Sequence, residues 1–410
     1  MRLLISTSTF PLRPGDGLPH FVYGLARQLA RSNEVTVLAP GAPGAPARER
    51  WEAVEIERFS YFLPRRAQRL AYGSGIEPNL RRSWLARLQP PGFLLAQTRA
   101  LRRLLRGGRF DVVNSHWLLP QGLSAAWVRG AAGFPHVVTV HGGDAYLLAR
   151  LPGAGALARY VVNRADALLA VARTARDGLD AALGRESGAE LLPMGVDLEL
   201  FGPGPAEMEL PFRYGYLLFV GRLAPNKGVA DLLQALPRVR QSHPGLGLVV
   251  VGEGQEAGAL RAQAQALGLA DAVRFEGAAS EEAVARWLRA CRVAVLPSRR
   301  SEVWAEGLPV VLIEALASGA RVVATATGGI PELLRHGENG WLCRDSDPDD
   351  LADKLLAALA DPVDSGLAQL ARASAEPFGW PRVAERTLEI FEAVRADRTS
   401  HTGRGSQSPR

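Results

Sequence analysis

The feature that most limits the possible folds is a pattern that runs for 200 residues, lapses, and restarts. Short apolar runs at residues 2–7, 34–39, 54–59, 111–115, 136–140, 167–170 and 189–192 alternate with amphipathic stretches at 19–31, 93–106, 121–131 and 151–164. Such alternation predicts βαβ units on a parallel sheet. From Phe201 to Arg213 the chain reads Phe-Gly-Pro-Gly-Pro and then loses any apolar period, which predicts a linker. Strand-like runs return at 216–220, 246–251, 273–275, 293–296 and 321–324, with helical stretches at 227–240, 256–267, 281–290 and 309–318 between and after them. Two more helices follow, then a last one at 381–395. A chain of 410 residues suits two such domains. The expected division is a first domain at 1–200, a linker at 201–213, a second domain at 214–376, a final helical segment at 377–396 and a disordered tail at 397–410, too polar to bury anything.

Composition narrows the class. Hydrophobic residues at 47% and charged residues at 22% are ordinary for a globular protein. No apolar run reaches the 18 or so residues that span a bilayer, and the apolar start at Met1–Ile5 is too short for a signal peptide. Two cysteines, Cys291 and Cys343, with no ligand spacing, argue against a disulfide framework and suit a reducing compartment, so the cytoplasm is expected.

The net charge of +6 is a local matter. Between Arg58 and Arg109 stand twelve arginines and one acid, Glu77, so this segment carries +11 and the rest of the chain −5. Within 58–93 the arginines are interleaved with Phe59, Tyr61, Phe62, Tyr72, Trp84 and Phe93. Mixed cations and rings suit an anionic membrane surface, and the bland alternative is a core with a solvated basic face. Nucleic acid is not expected, because the charge is confined and no recognition motif accompanies it.

Three stretches suit an anionic diphosphate. Glycine loops after parallel strands bring helix N-termini to a ligand's phosphates. Gly15-Asp16-Gly17-Leu18-Pro19 follows the first strand, and Gly307-Leu308-Pro309 opens a helix in the second half. Gly221-Arg222-Leu223-Ala224-Pro225-Asn226-Lys227-Gly228 sets a guanidinium and an ammonium at a strand's carboxyl end. Of the 48 basic residues only Lys227 and Lys354 are lysine, so a merely solvated cation at 227 would more often have been arginine. A departing diphosphate needs its charge neutralised there. Glu306 and Glu314 stand eight apart. Glu314, flanked by Val310, Val311, Leu312, Ile313 and Leu316, is drawn toward the interior and needs a partner such as ribose hydroxyls. The one Asp-x-Asp, Asp345-Ser346-Asp347, precedes a helix and reads as its cap rather than a metal site.

Together these motifs resemble the retaining family-4, or group 1, glycosyltransferases of the GT-B fold. The resemblance rests on Glu306…Glu314-Ala315-Leu316-Ala317-Ser318-Gly319, on Arg321–Thr325, on Gly328-Gly329-Ile330-Pro331-Glu332-Leu333 and on Asn339-Gly340-Trp341-Leu342. Val251-Gly252-Glu253-Gly254, Phe275-Glu276-Gly277 and Leu192–Asp197 fit as well. It implies an α/β chain of two Rossmann-like domains facing across a cleft, with the C-terminal helix crossing back to the first. It implies that Arg222 and Lys227 hold the diphosphate, Glu306 meets the donor sugar, and Glu314 meets the ribose. Gly17, Gly252, Phe275, Gly277, Gly307 and Leu308 would complete the donor site. His141, in Val140-His141-Gly142-Gly143-Asp144, would contact the sugar and help stabilise charge at the anomeric carbon, making His141, Glu306, Arg222 and Lys227 the catalytic set. His116 and Asp144 are candidates for the acceptor, His116 being equally readable as structural. Departures fall in the first half: Asp16-Gly17 where the family has Gly-Gly, Pro19 where it often has Glu, and Met194 where it has Asn.

The expected function is transfer of a glycosyl group from a nucleoside-diphosphate sugar to a saccharide or lipid-linked acceptor, with retention at the anomeric carbon, in cell-surface glycan or glycolipid synthesis. No metal and no cofactor are expected, and docking on the inner face of a membrane through residues 58–93 is. The rivals are a nucleotide-sugar epimerase of the same fold and a non-catalytic sugar-nucleotide sensor.

Overall fold

A computed structural model of the chain describes residues 1–13, 21–71, 75–107, 110–150, 152–205, 209–301, 306–362 and 366–404. Gly17 and its loop lie outside the described residues. The chain divides into two compact units, Met1–Met194 with Trp380–Arg410, and Gly195–Gly379.

The first unit is built on an eight-stranded sheet. Its strands are β1 (Arg2–Ser6), β2 (Glu34–Pro40), β3 (Arg48–Trp51), β4 (Val54–Phe59), β5 (Val112–His116), β6 (His136–Val140), β7 (Ala167–Ala170) and β8 (Glu190–Leu191), in the order β3-β4-β2-β1-β5-β6-β7-β8. All neighbours are parallel except β3 and β4. The seven strands expected from the apolar runs are present, each buried where its run is unbroken. β3 reads Arg-Glu-Arg-Trp, carries no apolar alternation, and exists because it pairs with the edge of β4.

The second unit holds β9 (Tyr216–Val220), β10 (Gly247–Val251), β11 (Val273–Gly277), β12 (Val293–Leu296), β13 (Val322–Thr325) and β14 (Trp341–Cys343), all parallel, in the order β11-β10-β9-β12-β13-β14. Its helices pack both faces of the sheet into two apolar cores. Apart from the antiparallel edge strand β3, the order in each sheet reverses once, between β1 and β5 and between β9 and β12. Ligands of open α/β sheets sit outside the carboxyl ends at such a reversal.

The chain passes between the units earlier than its glycines and prolines suggest. Residues 201–205 and 209–213 belong to the second unit. Phe201 is 2% exposed in that core, and Arg289 and Arg372 donate to the carbonyls of Leu200, Gly202, Phe201 and Leu198. The crossing is at Met194–Gly195, and the return at Gly379–Trp380. The last helix, Trp380–Arg404, packs against Phe21–Leu29 in the first unit, where a side chain on Gly24 would overlap the Trp380 ring. Arg386 grips both oxygens of Glu190 on β8, at 2.7 and 3.0 Å. The helix continues to Arg404, through residues expected to be a disordered tail, and 405–410 lie outside the described residues.

Candidate active site

In the first unit, β5 ends at His116 and β6 at Val140, side by side, so His116 and His141 leave the sheet together. Trp117 turns the chain with φ 75°, a conformation a bulky residue rarely takes. Asp144 holds that turn. One carboxylate oxygen accepts from the Leu118 N–H at 2.9 Å and, more weakly, from Leu119 at 3.5 Å, and the other accepts from His141 N–H at 2.9 Å. Asp144 is 1% exposed, and burial pushes its carboxyl up to about 7 against the pull of those three amides. Both of its oxygens therefore accept from backbone N–H groups. Asp144 thus holds the turn through three backbone amides.

The His141 ring stacks on Trp117 at 4.5 Å and 25° and is tilted against Phe21 at 5.4 Å, and Phe21 and Trp117 themselves touch at 6.1 Å. Its Nε2 is 3.1 Å from Nδ1 of His116, which is fully buried. Burial holds both imidazoles neutral: His116 falls to about 3, and His141 well below its ordinary value, its neighbour His116 adding to the effect. His116 is thus walled off from any acceptor and bonded to the histidine expected to meet the sugar.

In the second unit, Lys227 follows β9 and Ser298 follows β12, the two strands at the reversal. Lys227 Nζ donates to both oxygens of Glu306, at 2.9 and 2.7 Å, and Ser298 Oγ donates to Oε2 at 2.9 Å. Glu306 is 8% exposed, and its charge is matched where it is buried. The surrounding loops are clasped together. A side chain on Gly228, at φ 66°, would land on the carbonyl of Pro297, and one on Gly328, at φ 58°, on that of Glu306. Thr325 donates to the Ser298 carbonyl, and Arg299 binds Asp231 through two bonds of 2.6 and 2.5 Å.

Arg222 is exposed and makes no ion pair among the described residues. The N–H groups of Gly307 and Leu308, just before the helix Val310–Ala317, donate to no described residue. Gly252 N–H donates to Gly277 O at 2.7 Å, joining the loops after β10 and β11. Phe275 has one face covered by the Arg261 guanidinium, 4.5 Å from the ring centre. Glu314 sits half-buried on its helix with no side-chain hydrogen bond among the described residues, and burial, with Glu281 adding, pushes it up to about 8. Nothing joins it to Glu306.

Asp347 caps the helix Pro348–Ala360 by accepting from Asp350 N–H at 2.9 Å, and Asp345 accepts from Arg300 N–H at 2.8 Å. Among the described residues no three His, Cys, Asp or Glu side chains are placed to hold a metal ion. Ser298 was invisible in the sequence: a lone serine after an apolar run carries no signal until the sheet order sets it beside Glu306.

Residues 15–200 match the family described as Glycosyltransferase Family 4, and residues 207–376 the one described as Glycosyl transferases group 1. The chain is 30% identical to the GDP-mannose-dependent alpha-(1-6)-phosphatidylinositol monomannoside mannosyltransferase of Mycolicibacterium smegmatis, over 88% of this chain and 90% of that one. It is 31% identical to the phosphatidyl-myo-inositol mannosyltransferase of Mycobacterium leprae, over 93% and 94%. This chain belongs to the group 1 glycosyltransferases. Sucrose-phosphate synthase from Thermosynechococcus elongatus shares its fold, with a TM-score of 0.76 at 22% identity over 97% of this chain and 99% of that one. The fold of this glycosyltransferase is therefore GT-B.

The basic segment of this glycosyltransferase divides in the structure. Phe59, Tyr61 and Phe93 are buried with Leu70 in the core beneath it, so these rings are not available to a membrane. Arg58 is buried against Glu49, and Arg103 pairs with Glu57. Outside stand, among others, Leu63 at 79%, Trp84 at 73% and Leu88 at 61% exposure, with exposed Arg65, Arg66, Arg69, Arg81, Arg82 and Arg87. No helix among the described residues is long and apolar enough to cross a membrane.

Proposed function

We propose that this glycosyltransferase moves a hexose from a nucleoside-diphosphate sugar to a lipid-linked saccharide, with retention and without a metal, while docked on the inner face of a membrane. The observation that carries the reading is the second unit's cluster at the β9/β12 reversal: Lys227 and Ser298 on Glu306, exposed Arg222, and the unpaired amides of Gly307 and Leu308. That set offers two cations and two N–H donors to a diphosphate and a carboxylate to sugar hydroxyls. In the reaction the bond from the anomeric carbon to the diphosphate breaks, its electron pair leaving on phosphate. The acceptor oxygen bonds to that carbon on the same face, and its proton passes to the departing phosphate oxygen. Arg222 and Lys227 neutralise the leaving group in place of a metal. Neutral His141 meets the sugar without adding charge beside the positive anomeric carbon. Glu314 takes the ribose.

The relatives named for phosphatidylinositol mannosides support a lipid acceptor and GDP-mannose as the first donor to try. Exposed Leu63, Trp84 and Leu88 among arginines support membrane docking, each nearby cation contributing about 1 kcal/mol on an anionic surface. The test incubates the full chain with GDP-mannose or UDP-glucose and phosphatidylinositol vesicles. Free nucleotide should appear only with acceptor, the new linkage should keep the donor's anomeric configuration, and EDTA should not stop it. Nucleotide sugar converted to an epimer without acceptor would replace transfer with epimerisation, and activity lost to EDTA and restored by magnesium would refute metal independence. Sedimentation with vesicles should need anionic lipid and fall when Arg65, Arg66 and Arg69 become Gln.

A further inference from the structure

The first unit holds a buried pair whose purpose the proposed chemistry does not yet use. His116 is 0% exposed at the end of β5, its Nδ1 lies 3.1 Å from His141 Nε2, and its own Nε2 is buried with no partner among the described residues. A neutral imidazole carries one proton, so one ring donates this bond and the other accepts. If His141 donated, the His116 proton would sit on Nε2, an N–H buried without an acceptor. Orphaned buried N–H groups are rarer in native structures than under-satisfied acceptors. If His116 donates from Nδ1, the partnerless nitrogen is only a bare lone pair. We infer that His116 is a positioning residue that donates from Nδ1 to His141 Nε2 and so fixes His141 in the tautomer carrying its proton on Nδ1.

The surroundings keep that choice from being undone. The His141 ring packs on Trp117 and touches Phe21, and Asp144 fixes the main chain on both sides, at His141 N–H and at Leu118 N–H. Neither ring gains a second proton at neutral pH, since burial lowers both. The remaining nitrogen, His141 Nδ1, has no partner among the described residues. It is then an N–H donor, suited to a hydroxyl or other oxygen of the ligand and unsuited to accept a proton. His141 would thus act by donating a hydrogen bond and not as a general base, a statement that rests on the proposed transfer reaction only for the identity of the oxygen it meets.

Two measurements test this, and one needs no activity. Nitrogen-15 spectra of the histidine-labelled full chain, with His116→Asn and His141→Gln to assign signals, should show both rings as neutral Nδ1–H tautomers from pH 6 to 8. A His141 signal of the Nε2–H form would overturn the inference. In the transfer assay, His116→Phe should lower kcat by about tenfold or more while the Kd for bare GDP and UDP stays within about twofold, because only a hydrogen-bond donor has been lost. His116→Asn places an amide donor near the position of Nδ1 and should recover most of the loss. A folded His116→Phe with unchanged kcat would also overturn it. Should His116→Phe fail to fold, the wild-type spectra still decide. A chain that transfers no sugar from any donor would end the proposed function yet leave the tautomer readable.

Discussion

The two carboxyl-end clusters solve different electrostatic problems with different materials. The first unit's cluster holds no cation: two neutral imidazoles, stacked rings, and a carboxyl raised to about 7 with amides on both oxygens. The second unit's cluster is built from charges: Lys227 on Glu306, Arg299 on Asp231, and Arg222 exposed. A diphosphate keeps its negative charge throughout the proposed reaction, so permanent cations serve it. The sugar becomes positive only in passing, and a cation buried beside it would oppose the reaction. Burial that strips protons from His116 and His141 is therefore an advantage in one unit and would be a defect in the other. The contrast predicts that damage to the first cluster is read mainly in folding and turnover, and damage to the second in nucleotide affinity.

The largest effect should come from Asp144, where the first cluster is held together. Asp144→Ala leaves the amides of Leu118 and His141 buried without acceptors, at about 1–3 kcal/mol each. Chemical denaturation should show a loss of about 3 kcal/mol, with Trp117 fluorescence changing first. Asp144→Asn should rescue little, because its NH₂ faces one of the same donors. A loss below about 1 kcal/mol would mean that Trp117 keeps its turn unaided and that the first cluster is less tightly built than the bonds indicate.

Next in size is the ion pair of the second cluster. Lys227→Ala removes one of two cations proposed for the diphosphate, and a charge-assisted bond is worth roughly 1.5–3 kcal/mol, so GDP or UDP affinity should fall at least about tenfold. It also strands Glu306, whose carboxylate then keeps only Ser298 among the described residues, and so destabilises the fold. Lys227→Ala combined with Glu306→Gln should restore stability without restoring affinity, which separates the two consequences. Affinity restored along with stability would reduce Lys227 to a structural partner of Glu306.

These assignments show what the sequence could and could not disclose. Parallel strands buried on both faces read as unbroken apolar runs, so twelve strands were legible. β3 was not, because edge pairing and not apolar content makes it a strand, and β14 was not, because a run of three apolar residues is too short to register as a strand. Lys227 and Glu306 could each be singled out, one by its rarity and one by its motif. Their contact depends on β9 lying beside β12, which a linear pattern does not state. The bonds of Asp144 were hidden for a similar reason: an acid after His-Gly-Gly shows no partner until the short helix Gly142–Leu148 turns it onto the amides after the preceding strand ends. The same holds for the linker, where Arg289 and Arg372 clamp a Gly- and Pro-rich stretch that composition alone would leave loose.

A smaller effect distinguishes the two glutamates of the second cluster. Glu306→Gln should lower turnover more than it weakens the bare nucleotide, since its proposed partner is the sugar. Glu314→Gln should weaken the bare nucleotide as well. Equal effects of both variants on nucleotide and nucleotide sugar, measured by calorimetry, would contradict the division of roles.

The smallest effect is in pH, and it asks whether the second cluster is charged throughout. Glu314 is pushed up to about 8 from an ordinary 4.5, mainly by burial. Between those values the unfolded chain has released a proton that the folded chain still holds, so the unfolded state binds fewer protons and stability falls as pH rises through the window. Below about 4.5 and above about 8 the contribution is flat. Asp144, raised to about 7, slopes the same way, and the neutral histidines slope the other way below pH 6.5, so the total curve is not diagnostic. The difference between wild type and Glu314→Gln is, because every other group cancels. The variant should gain melting temperature relative to wild type steadily from pH 5 to 8. In the proposed role the ribose hydroxyls donate to an ionised Glu314, so GDP binding at pH 7 should release a proton to buffer, and calorimetry in buffers of different ionisation enthalpy reads that release directly. The release should vanish in Glu314→Gln. Binding without proton release in the wild type would leave Glu314 neutral beside the nucleotide and would contradict its proposed role toward the ribose.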